Sequence, residues 1–149
     1  MKAPEEVLHF RVRPEPRASR AVRAGVAQFG REHGVSDDDL DLFLTALGEA
    51  IANAVEHGAR NSRAVSIDVE VRIGGDRIIG HVQDDGDGFT PPSVAEPSLP
   101  DATSERGRGL PIIRRCSDFF AVTSSPGKGT AVLLGRYFRP EDDVADVAC

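Results

Sequence analysis

Two hydrophobic rhythms alternate along the chain. In "EVLHFRV", Glu6 to Val12, the period is two: Val7, His9 and Arg11 fall on one side and Leu8, Phe10 and Val12 on the other, the pattern of a half-buried strand. From about Pro16 to His33 the period becomes helical, with Val22, Val26 and Phe29 on one face and Gly34 closing the segment. Ser36 followed by Asp37, Asp38 and Asp39 reads as a capping-box start, with acids at the positive end of the dipole, and the helix it opens extends to His57, where Gly58 ends it. "AVSIDVEVRIG" and "DRIIGHVQD" then predict two strands joined through Gly74-Gly75-Asp76, a hairpin signal. After a long loop, "GRGLPIIRRC" predicts a short helix that tolerates Pro111 in its first turn. "DFFAVTSS" and "TAVLLGRYF" predict a last hairpin around "PGKG". This order of elements suits an antiparallel sheet covered on one face by helices.

At 149 residues the chain fits one domain with a core of its own. Residues 1–138 are read as that domain and the acidic segment 139–149, "RPEDDVADVAC", as a disordered tail. No apolar run approaches the roughly 20 residues of a membrane span. The N-terminus, "MKAPEEVLHF", has acids where a signal peptide carries its apolar core, so a soluble cytoplasmic protein is the expectation. Cys116 and Cys149 form no staple or zinc spacing; a buried thiol and a free terminal one are expected. A net charge of -6 argues against general affinity for nucleic acid or acidic membranes.

Candidate chemistry begins at "VQDDGDGF", Val82 to Phe89, where a good strand runs into acids and alternate glycines. A two-residue Asp-Gly hairpin would hand over to a second strand, but "TPPSVAEPSLPDATSE" follows, proline-rich and without alternation. A calcium loop counted from Asp85 puts Thr90 where the obligatory glycine belongs. What remains is a strand-end carboxylate, Asp84, beside backbone left bare at Gly86 and Gly88 for close approach. On the second helix, Leu40, Phe43, Leu44, Leu47, Ile51, Ala54 and Val55 gather into one apolar stripe. Glu49 and Asn53 lie off it, four residues apart and so one turn from each other on a shared face.

The runs "EAIANAVEHG", "DDGDGF", "GRGLPII" and "SSPGKGTAVLL", in that order from Glu49 to Leu134, resemble the N box, the two glycine boxes and the last glycine-threonine element of the Bergerat-fold ATP-binding superfamily. Within it the chain is most similar to the bacterial anti-sigma-factor serine kinases. The resemblance implies an α+β two-layer sandwich with a mostly antiparallel mixed sheet. It also implies ATP and Mg2+ as ligands, a homodimer, and two protein partners: a sigma factor and an anti-anti-sigma protein phosphorylated on serine.

On the matching positions, the Asn53 amide oxygen suffices as the single protein ligand to a magnesium ion that shares phosphate oxygens. Glu49 is placed to take a proton from an attacking hydroxyl. Asp84 accepts from the exocyclic amino group of adenine, which guanine lacks at that position. Gly86 and Gly88 let the base lie against backbone, and Thr130 completes the adenine pocket. Gly107, Gly109 and Leu110 open a helix whose free N–H groups suit a polyphosphate, with Arg106 or Arg108 reaching the terminal phosphate. Residues 90–105 are read as a lid, with four prolines. "GRGLPI" lacks the third glycine of a dinucleotide fingerprint, and "GKGT" lacks the adjacency of a P-loop.

Two rival functions stay in view. A histidine-kinase catalytic domain would need a phospho-accepting helical hairpin for which the chain is too short. A nucleotide-dependent binding module without phosphotransfer would also use Asn53, Asp84 and the glycines, and Glu49 is the residue that favours a kinase over it. Arg17, Arg20 and Arg23 form a basic stripe on the first helix, and the first strand is a candidate sheet edge for self-association.

Overall fold

The computed structural model describes residues 5–60, 66–84, 106–125 and 129–139. Among these, the elements follow in the order β1 (Glu6–Val12), α1 (Ala18–Glu32), α2 (Asp37–Arg60), β2 (Ile67–Ile73), β3 (Arg77–Asp84), α3 (Arg106–Cys116), β4 (Phe119–Ser125) and β5 (Gly129–Tyr137). The strands form one sheet in the order β1-β2-β3-β5-β4, so β1 is an edge. The α+β class and the helical layer agree with the sequence. All pairings between the described strands are antiparallel.

Strict alternation decides which side chains meet the helices. On β2, Ile67, Val69, Val71 and Ile73 are buried, while Asp68, Glu70 and Arg72 face outward. On β3 the same phase buries Ile78, Gly80 and Val82 and then, at the strand's end, Asp84. In β5, Thr130, Val132 and Leu134 are buried, and Arg136 continues their phase. α1 packs on β1 and β2, α2 on β3 and β5, and α3 on α2. The opposite face carries His9, Arg11, Glu70 and His81 around an open hollow of about 840 Å³.

α2 supplies the centre of the core, with Leu40, Phe43, Ala46, Leu47, Ala50 and Ile51 all essentially buried. Gly80 lets the helix come close: a Cβ there would lie 3.1 Å from Phe43 Cζ and 3.2 Å from Leu47 Cδ1. α1 ends in a Schellman arrangement, Val35 N–H donating to Gly30 O at 3.0 Å and Gly34 N–H to Arg31 O at 3.3 Å, with Gly34 at φ 82.

Three boundaries differ from the sequence pattern. α1 begins at Ala18, not Pro16, with Arg17 at its N-cap. α2 continues through Gly58 to Arg60; Gly58 keeps a negative φ, and its cost of roughly 1 kcal/mol in a helix interior does not stop a long, well-packed helix. α3 starts at Arg106, which makes Pro111 its sixth residue and moves it out of the first turn, where its missing N–H removes one intrahelical rung. Cys116 is half-buried, and Cys149, the tail from 140 and the lid at 90–105 lie outside the described residues.

Phe43→Ala should lower unfolding stability by about 3–5 kcal/mol, read by urea denaturation. Asn53→Ala, on the same helix but off the stripe, should melt like the wild type; a large loss there would make Asn53 a structural residue.

Candidate functional site

The site is built at the end of the sheet where β3 stops and β5 starts. The register Gln83↔Ala131 carries Asp84 opposite Thr130, and both fall on the helix-covered face. Asp84 is only 3% exposed and Thr130 5%. A carboxylate buried this deeply needs hydrogen-bond donors, and the Thr130 backbone N–H donates to Asp84 Oδ1 at 3.2 Å. Gly129 turns the chain into this position with φ 83. The Thr130 hydroxyl shares a hydrogen bond with Ser124 Oγ at 2.9 Å, and Ser124 Oγ also donates to Gly129 O at 3.4 Å. The resulting seam joins β3, β5 and β4 through an acceptor-only carboxylate and two hydroxyls.

The helices approach this seam in a fixed direction. Asp39, in the first turn of α2, lies beside Arg136, whose register partner is Ile78 at the far end of β3. Phe43 and Leu47 lie over Gly80, midway along β3. The next turns of α2, with Glu49 and Asn53, therefore advance toward the Asp84 end. Both residues are half-buried. α3 packs along α2, and the carbonyl of its last residue, Cys116, lies at the same Arg136. Its first turn thus points back toward the half of α2 that carries Glu49 and Asn53.

Of the residues singled out in the sequence, Asp84 and Thr130 are joined directly. Glu49 and Asn53 share α2, and Leu110, half-buried, belongs to α3 with the backbone of Arg106, Gly107, Arg108 and Gly109. Gly86 and Gly88 lie outside the described residues. Ser124 escaped sequence reasoning because a serine late in a strand has no distinguishing pattern; its one signal is that it shares the phase of Phe120 and Val122. The basic stripe of α1 is not continuous. Arg17 turns to Glu15 at 3.0 Å, while Arg20 and Arg23 line a groove of about 380 Å³ with Asp41, Leu44 and Thr45 of α2.

A buried acceptor at a strand end, a helix carrying Glu49 and Asn53 and a helix that starts among glycines are the features that the comparisons with known proteins place in a family. Residues 12–135 match the histidine kinase-like ATPase domain. The chain is 30% identical over 118 residues to the anti-sigma F factor of Thermoanaerobacter sp. (strain X514), covering 77% of this chain and 82% of that protein. It is 31% identical over 120 residues to the anti-sigma F factor of Clostridium botulinum (strain Eklund 17B / Type B), covering 78% and 83%. The solved RsbU and RsbW domains of Rv1364c from Mycobacterium tuberculosis share the fold, with a TM-score of 0.66 at 24% identity over 93% of this chain and 34% of that one. The histidine kinase domain of the Erythrobacter litoralis EL346 blue-light activated kinase superposes at 0.50, with 16% identity over 84% and 61%. The chain belongs to the histidine kinase-like ATPase domain family, in its anti-sigma-factor kinase branch.

Asp84→Asn keeps an acceptor for the Thr130 N–H and should change stability by less than about 1 kcal/mol, whereas Asp84→Ala orphans a buried donor and should cost about 1–3 kcal/mol. Paired urea melts read the difference; equal melts for the two variants would mean that the hydrogen bond contributes nothing.

Proposed function

We propose that the protein is an ATP-dependent serine kinase that binds a sigma factor in one nucleotide state and phosphorylates an anti-anti-sigma protein in another. The observation that carries the reading is the buried Asp84 carboxylate, fastened to the Thr130 N–H at the β3–β5 seam beneath the half of α2 that bears Glu49 and Asn53. An acceptor-only group held almost out of water favours a base that offers an amino group, and adenine does so where guanine presents a carbonyl oxygen. The polyphosphate then extends toward the N-terminal turn of α3, whose backbone N–H groups and positive dipole end suit it.

Asn53 supplies a neutral oxygen one helical turn from Glu49, a fit for a magnesium ion that takes most of its ligands from water and phosphate. The bound metal would supply charge neutralisation on the phosphates. Glu49 accepts the proton of the serine hydroxyl as its oxygen bonds to the γ-phosphorus. The bond from that phosphorus to the bridging oxygen breaks, and ADP leaves with the electron pair.

Arg20 and Arg23, beside Asp41 in the α1–α2 groove, give a mixed-charge surface for the regulator, and β1 offers an edge for a homodimer. Among the described residues no helix is long and apolar enough to cross a membrane.

Glu49→Gln preserves size and removes the proton acceptor. In single-turnover transfer from labelled ATP to the anti-anti-sigma protein at saturating nucleotide, it should be slower by roughly 10² or more while binding magnesium ATP nearly normally. Equal rates would remove Glu49 from the base role. Nucleotide-dependent capture of a partner with no transfer by the wild type would favour a binding module.

A further inference from the structure

Arg136 stands at the opposite end of β5 from Thr130, on the same helix-covered face. Its Nη2 lies 3.1 Å from Asp39 Oδ1, and its Nη1 donates to the backbone carbonyl of Cys116 at 3.1 Å. The two side chains are 15% and 26% exposed, so the pair is largely shielded from water and unlike a surface ion pair. Asp39 is itself held by the α2 cap: Ser36 Oγ accepts from the Asp39 N–H at 3.2 Å and donates to Asp39 Oδ2 at 3.1 Å. One guanidinium therefore joins the first turn of α2 to the last carbonyl of α3, where a cation also complements the helix dipole.

Among the described residues, α3 is also held to the core by Ile113, fully buried, and by Leu110 and Cys116, half-buried. Apolar contact has no direction and lets a short helix slide or tilt. Asp118, just beyond the helix, is fixed to β5 by its N–H to Gly135 O at 2.8 Å and by the Tyr137 N–H to Asp118 Oδ2 at 2.8 Å. The Arg136 guanidinium reaches the helix itself and α2 at once. α3 spans roughly 16 Å, so a tilt of about 5° about its C-terminal end moves its first turn by more than about 1 Å, a displacement that costs heavily where groups must be aligned.

We propose that Arg136, oriented by Asp39, is a positioning residue for the nucleotide polyphosphate: it fixes the axial placement and tilt of α3 against α2 and so aims the N-terminal turn of α3 at the phosphates. The inference rests on the ATP-binding reading above. It differs from a purely stabilising ion pair in one respect. A stabilising pair affects every ligand of the folded protein equally, whereas a positioning one affects only ligands that carry phosphates, because adenine is held at Asp84 and Thr130.

The test is calorimetric titration of the full chain with ATP in magnesium and, by competition, with adenosine, at a temperature where each variant is folded. Arg136→Met should weaken ATP by about tenfold and leave adenosine within about twofold, while Arg136→Lys, which keeps a cation at the joint, should restore ATP binding to within about threefold of wild type. An unchanged ATP affinity in Arg136→Met, or equal weakening of ATP and adenosine, would overturn the proposal. Should Arg136→Met fail to fold, Asp39→Asn removes the charge with little change of shape and must show the same phosphate-selective loss, and an unchanged ratio overturns the proposal as well. A wild type that binds neither ligand defeats the ATP reading itself, and a wild type that binds both with an unmoved ratio in the variants defeats only the role of Arg136.

Discussion

A carboxylate held almost entirely out of water, accepting a backbone N–H from the neighbouring strand, organises this molecule. Asp84 occupies a position that alternation on β3 assigns to the core, in the phase of Ile78 and Val82. An apolar side chain there would extend the core to the end of the sheet. The chain re-enters at Gly129 with a positive φ and presents the Thr130 N–H to the carboxylate, which helps make its burial tolerable. The pairing of β5 with β3 and the burial of Asp84 are thus one constraint seen from two strands.

The helices gain their meaning from that seam. α2 crosses the sheet from the Arg136 end toward the Asp84 end, keeping its apolar stripe on the strands, which leaves Glu49 and Asn53 half-buried off that stripe. α3 returns along α2 in the opposite sense. The ends of the two helices farthest from the seam are tied by Arg136, and the ends nearest to it carry the polar groups. A rigid joint at one end and a ligand at the other is an arrangement in which small errors of tilt are amplified, and it gives a directional ion pair a purpose that apolar packing cannot serve.

Much of the framework was legible because it is periodic. The alternation of Ile67 to Ile73, the turn at Gly74–Asp76 and the stripe of α2 each repeat a local signal, and the structure follows them closely. Asp84, Glu49, Asn53 and Thr130 were legible as motif positions, and the direct Asp84–Thr130 contact gives two of them a shared place. Ser124, Asp39 as a partner and Arg136 were not. Their roles depend on contacts between residues far apart in sequence, Asp39 and Arg136 being separated by 97 positions, and no window of local pattern records such a bond. Gly58 and Pro111 misled for the opposite reason: strong local helix breakers were overridden by the packing of the helices that contain them.

Nucleotide choice should be set by the buried acceptor at the end of β3. Side-by-side calorimetric titration of the wild-type protein with ATP and GTP in magnesium tests it most directly. Selection through the Asp84 carboxylate predicts that ATP binds at least about tenfold tighter, a difference of about 1.4 kcal/mol. Equal affinity for the two nucleotides would contradict it.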